Sequence, residues 1–158
     1  MKKLSFIIIA LLLVNTVAYG KGVDHFIAIL KSNVKTEKKA MLAQSMQLTY
    51  ADAPDFLGVY SEYELELSKI IDDRVELLRD FAQNYNNLTD AKARELAKKV
   101  FALEKRRTKL KKKYFRKFYR TLSATIAAKF IQVENQINLL LDLQIASELP
   151  LIKLKTQN

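Results

Sequence analysis

The sequence predicts an all-α fold: three long antiparallel helices plus one or two short N-terminal helices, in a hairpin or cradle-like bundle. Three observations carry that expectation. Beyond residue 20 only Gly22, Gly58, Pro54 and Pro150 remain of the turn formers Gly and Pro, too few for the tight turns of a β protein. Apolar residues recur in three long segments at steps of three and four, the period of one helical face. Cysteine is absent, so helix packing rather than disulfides must hold the core.

Each long helix has a start, a stripe and a stop. The first begins near Thr49 or Asp52, either of which can accept a first-turn amide, an interaction worth about 1 kcal/mol. Pro54 fits its first turn, where the missing N–H costs nothing. Its stripe is Phe56, Tyr60, Tyr63, Leu67, Ile70, Leu78, Phe81 and Tyr85, and it should stop near Asn84-Tyr85-Asn86-Asn87, because Asn favours turns. The second helix should be capped by Thr89, carry Leu96, Val100, Leu103, Leu110, Tyr114 and Phe118 on its core face, and run to about Leu122. The third should start at Ser123, bury Ile126, Phe130, Val133, Ile137, Leu140 and Leu141, and end before Pro150, since the residue preceding proline avoids helical angles. Residues 21–47 are the least regular, with room for one or two short helices, and 151–158 read as a loose tail.

The chain opens Met1-Lys2-Lys3, then the apolar run Leu4–Val14, then Ala18-Tyr19-Gly20. A basic start, a short apolar run and small residues before a cut after Gly20 form the pattern of a cleaved secretory leader. The run is shorter than the about 20 residues that span a bilayer. The expectation is a signal peptide at 1–20 and a single periplasmic domain at 21–158.

Charge is unevenly placed. Residues 21–100 carry 12 basic and 13 acidic groups, whereas 101–158 carry 13 basic and 4 acidic. The excess concentrates in EKRRTKLKKKYFRKFYR, Glu104–Arg120, where ten of seventeen residues are Lys or Arg. At about 100° per residue with Tyr114 at 0°, Lys105, Arg106, Lys109, Lys112, Lys113, Arg116, Lys117 and Arg120 fall between roughly 160° and 300°, opposite the core stripe. Phe115 and Tyr119 lie on the shoulder of that stripe. Two readings stand side by side: a solvated charged face, or a docking surface for an anionic partner edged by the two aromatics. Export argues against nucleic acid as that partner, although Lys and Arg attract any phosphate. The acidic residues of the first long helix, nine between Asp52 and Asp80 against three basic, should attract the basic helix.

Arg107 and Lys111 fall inside the apolar stripe, at roughly 20° and 60°. Glu134 likewise lies between Phe130 and Ile137. Buried charges need partners, and a hairpin about Leu122-Ser123 sets Lys111 opposite Glu134, with Arg107 a turn away. An internal ion pair among Arg107, Lys111 and Glu134 is therefore expected.

Several chemistries find no support in the residues. His25 is the single histidine, which leaves zinc-type sites unsupported. Glu62-x-Glu64-x-Glu66 cannot share one helical face. No nucleophile motif, phosphate-cradling Gly loop or histidine acid–base pair occurs, so neither catalytic residues, nor metal ligands, nor a cofactor is expected.

The exported, cysteine-free, basic chain with Leu88-Thr89-Asp90-Ala91-Lys92 and Leu122-Ser123-Ala124-Thr125-Ile126 at helix starts resembles small helical periplasmic proteins of the Spy/CpxP type, whose helices open Leu-Thr-x-x-Gln. A closer likeness, over roughly residues 41–152, is to uncharacterised periplasmic helical proteins with patterns like FLGVYSEYELEL and AAKFIQVENQINLLLDLQIASELPLI. The Spy/CpxP resemblance implies a cradle-shaped, often dimeric, ATP-independent chaperone or stress-response partner, and brings no catalytic residues. The functional expectation is a chaperone-like binding protein that holds acidic or unfolded protein clients on the basic helix. The alternatives are an envelope protein binding anionic lipid or lipopolysaccharide, and a structural helical protein.

Overall fold

The computed structural model describes Lys38 and residues 41–152. Lys38 and residues 41–46 are helical, and together they are labelled α1. Three long helices follow: α2 (Ala53–Asn84), α3 (Asp90–Thr121) and α4 (Ala124–Glu148), with a 3-10 turn at Tyr85–Asn87 between α2 and α3. Among the described residues there is no strand, and no helix is long and apolar enough to cross a membrane. The expected signal peptide, any helix within residues 21–37, and the tail beyond Ile152 lie outside the described residues.

The helix ends follow from the chemistry of single residues. Thr89 Oγ1 accepts the Lys92 N–H at 3.2 Å, and Ser123 Oγ accepts the Ile126 N–H at 3.2 Å. At α2 the choice between Thr49 and Asp52 resolves into a pair. The Asp52 N–H donates to Thr49 Oγ1 (3.1 Å), and the Thr49 hydroxyl donates back to the Asp52 carboxylate (2.7 Å), a variant of the reciprocal capping box. α2 stops where the Asn84 side chain donates to the Asp80 carbonyl (2.8 Å), the local bond by which Asn competes with helix. Leu149, before Pro150, is extended. Replacing Thr89 or Ser123 by Ala should each cost about 1 kcal/mol, read from the urea midpoint at unchanged slope.

α3 packs along both α2 and α4, whereas α2 and α4 meet only through long side chains. α1 lies on the other side of that gap. Leu42 and Met46 join the main core, Lys38 reaches Glu134 of α4 and the ring of Tyr63 on α2, and Lys129 of α4 donates to the Met46 carbonyl. The Met46 end of α1 thus meets the start of α4 and the Lys38 end meets its middle, so α1 runs antiparallel to α4. The result is an up-down-up-down bundle in which α2 and α4 form one diagonal and α1 and α3 fill its two sides.

The main core is aromatic. Phe56, Tyr63, Tyr114, Phe118 and Phe130 are almost wholly buried, with Phe130 at the centre, 4.4 Å from Phe118 and 5.2 Å from Tyr63 between ring centroids. These large rings span the diagonal that the helix backbones leave open. A smaller cluster of Val75, Leu78 and Ile145 lies toward the other end and takes nothing from α3. Val100 was expected in the core stripe but is exposed, although Leu96 and Leu103 on either side of it on the same face are buried or half-buried. Leu140 is exposed as well, because it sits at roughly 240° on a wheel that puts Glu134 at 0° and Phe130, Ile137 and Leu141 within about 60° of it.

Candidate functional site

The basic residues of α3 sort into two rows. The first is a ladder to α2: Glu62 with Lys117, Glu66 with Lys113, Asp73 with Arg106, and Asp80 with Lys99. The α2 positions advance 62, 66, 73, 80 while the α3 positions fall 117, 113, 106, 99, so steps of four, seven and seven match on both helices. That is the periodicity of flanking charge pairs in a coiled coil, where they set orientation and register. The acidic face of α2 therefore attracts the basic helix as expected.

The ladder also moves proton affinities. Hydrogen bonds from Lys113 and Tyr114 hold the Glu66 carboxyl below its ordinary value of 4.5. Bonds from Lys92 and Lys99 do the same for Asp80, ordinarily at 3.8, and bonds from Lys99 and Lys92 for Glu95, ordinarily at 4.5. A carboxylate with a depressed folded-state value favours the fold above its unfolded value, and that contribution is lost as pH falls through the folded one. An acid titration followed by circular dichroism should show the bundle weakening below those ordinary values. Glu66→Gln should blunt that loss, because one of the groups responsible is gone.

The second row has no such partners. Arg94, Lys98, Lys105, Lys109, Lys112, Arg116 and Arg120 are exposed, and none has an ion pair or hydrogen bond among the described residues. They step by four, seven, four, three, four and four, so they lie at roughly 160–240° with Tyr114 at 0°, while the ladder residues lie at roughly 260–300°. From Arg94 to Arg120 the row extends about 39 Å at 1.5 Å per residue. An open depression of about 1640 Å³ spans both rows: it is lined by Lys105, Lys109, Lys112, Arg116 and Arg120 of the second, by Arg106, Lys113 and Lys117 of the ladder, and by Glu66, Lys69 and Ile70 of α2. On the opposite flank Phe101, Tyr119 and Phe115 project at 67%, 54% and 37% exposure.

The eight cations expected to form one docking face are thus divided. Lys105, Lys109, Lys112, Arg116 and Arg120 have no ion-pair partner among the described residues, while Arg106, Lys113 and Lys117 are engaged by α2. Arg94, Lys98 and Phe101 extend the free row beyond the basic segment. They were legible from spacing alone, but they lie outside the stretch whose composition draws attention.

The expected ion pair of Arg107 or Lys111 with Glu134 is not formed. Glu134 is fully buried, and its Oε1 accepts from Lys38 Nζ (2.9 Å), the Tyr63 hydroxyl (2.5 Å) and the Asn138 amide (3.1 Å). Lys111 donates instead to Asn135 (2.8 Å), and Arg107 stands 3.6 Å from Asp142, which also pairs with Arg74 at 2.8 Å. The hairpin register was right to within one residue, but one residue on a helix is about 100°. Asn135 faces α3, and Glu134 faces the gap filled by α1. Lys111, partly buried with Arg107 beside it, has its affinity for a proton lowered by both. Burial first, and then the Glu134 carboxylate, push the Tyr63 hydroxyl well above the usual phenol range, so it remains a donor.

What the face offers chemically is exposed positive charge and N–H donors beside apolar side chains. Among the described residues no group of His, Cys, Asp and Glu could hold a metal ion. No protein-family model, no curated protein and no solved structure matches this chain.

Proposed function

We propose that this is a chaperone-like binding protein of the bacterial periplasm that holds acidic or partly unfolded protein clients on the outer face of α3. The observation that carries the reading is the sorting of charge. If the basic residues served only the bundle, α2 carboxylates would be expected to engage more of them, yet seven cations in one row are left without partners among the described residues. Exposed charge speeds encounter with an acidic partner, and Phe101, Phe115 and Tyr119 beside it supply unscreened apolar contact. The leader-like pattern of residues 1–20 supports this reading, since export would bring such a protein among unfolded exported chains. Anionic envelope lipid would engage the same charges and is the competing partner.

The test compares the two rows. One variant carries Lys105, Lys109, Lys112 and Arg116 changed to Gln. The other carries Arg106, Lys113 and Lys117 changed to Gln. The first should keep its stability, since isolated surface changes usually stay within about 0.5 kcal/mol each, and should lose suppression of the aggregation of an acidic client. The second should lose about 0.2–1 kcal/mol per exposed pair and keep client holding. Sedimentation with anionic vesicles is run alongside. Vesicle binding without aggregation suppression would replace the client by lipid. If the first variant matches the unaltered protein in both assays, the free row is only a solvated face.

A further inference from the structure

We propose that the gap between α2 and α4 is a docking groove for α1, and that two copies of the chain can exchange α1 to form a reciprocal dimer. The α2–α3–α4 unit is continuous without α1: two short connections join its helices, and the charge ladder fixes α2 on α3. α1 contributes Lys38, Leu42 and Met46, all buried, to the open side of the diagonal. Its contacts are side-chain specific. Lys38 Nζ meets Glu134 Oε1 at 2.9 Å, and Lys129 Nζ meets the Met46 carbonyl at 2.9 Å. Nothing in those contacts requires that α1 and the groove belong to one chain.

Two features favour exchange. Lifting α1 away would uncover the ring of Tyr63 and leave Glu134 buried without its cation, so an open copy demands an occupant with a Lys and two apolar residues at four-residue steps. Lys38, Leu42 and Met46 of a second copy have that spacing and charge. The link to α2, residues 47–52, is also strained at its first residue. Gln47 has φ of 48°, a left-handed conformation that L-residues other than Gly, Asn and Asp adopt at a cost. A link that extends into a neighbour would relieve it, and strain in a hinge favours swapping.

Complementary charge reversal tests this. Lys38→Glu faces the Glu134 carboxylate with a second acid, and Glu134→Lys faces Lys38 with a second cation, so neither variant can dock its own α1. Refolded as an equimolar mixture, they should form a heterodimer of twice the monomer mass by native mass spectrometry, while neither forms one alone. If both variants fail to fold even when mixed, the hinge decides. Gln47→Pro forbids the left-handed turn, while also biasing the buried Met46 away from helical angles, and should shift the monomer–dimer equilibrium toward dimer at least tenfold. Gln47→Gly removes the strain and should shift it toward monomer. A Gln47→Pro protein that sediments as a monomer at every concentration tested, or a folded mixture without heterodimer, would overturn the proposal and show that α1 fills the groove only within its own chain.

Discussion

Glu134→Ala is expected to destabilise the protein by roughly 3–5 kcal/mol, the loss seen when one partner of a buried ion pair is removed. Three donors converge on one oxygen of this side chain: the Lys38 ammonium, the Tyr63 hydroxyl and the Asn138 amide. With the carboxylate gone, the ammonium of Lys38 is stranded in a site where that residue is only 7% exposed. The Tyr63 hydroxyl, whose residue is 0% exposed, loses its acceptor as well. Pairing the change with Lys38→Met should recover much of the loss, because no ion is then left alone, and what remains measures the stranded hydroxyl. Equilibrium urea unfolding of both single variants and the double closes the cycle. Additive losses would mean that Lys38 and Glu134 do not depend on each other, and the placement of α1 would be wrong.

Phe130→Ala should cost a similar amount, about 3–5 kcal/mol. Its ring is fully buried and touches the rings of Phe56, Tyr60, Tyr63 and Phe118, which come from α2 and α3. Because α2 and α4 face each other only across the diagonal, no backbone movement can close the hole without breaking their contacts with α3. Phe101→Ala is the natural comparison. That ring is 67% exposed, so its removal should change the unfolding free energy by no more than about 0.5 kcal/mol. It should instead weaken the holding of a client.

The fold was readable because its determinants are local. Thr89, Ser123 and Pro150 mark helix ends by the bonds their own atoms make or refuse, and the 3.6-residue period names the buried faces without knowledge of the partner helix. The attraction of α2 for α3 was legible from composition, since an acidic helix precedes a basic one. Its register was not, because matching 62, 66, 73 and 80 against 117, 113, 106 and 99 requires knowing where the turn closes. Glu134 shows the same limit. Its position between Phe130 and Ile137 announced a buried charge, and a buried charge announced a partner. The partner proved to be Lys38, 96 positions earlier in an unremarkable run of lysines, because α1 fills the diagonal that a three-helix reading leaves out. The division of the basic face was hidden for a related reason: whether a surface lysine is paired depends on what the neighbouring helix presents to it.

The salt dependence of client binding is the most direct test of the free row's role. The affinity of an acidic client for the unaltered protein should fall steeply as ionic strength rises, because exposed charges are screened over about 8 Å at physiological salt. The variant with Lys105, Lys109, Lys112 and Arg116 changed to Gln should bind more weakly at low salt and show a much flatter dependence. The residual affinity would come from Phe101, Phe115 and Tyr119. The variant with Arg106, Lys113 and Lys117 changed to Gln should keep the steep slope. Equal slopes for the free-row variant and the unaltered protein would contradict the account and leave the seven cations as a solvated surface.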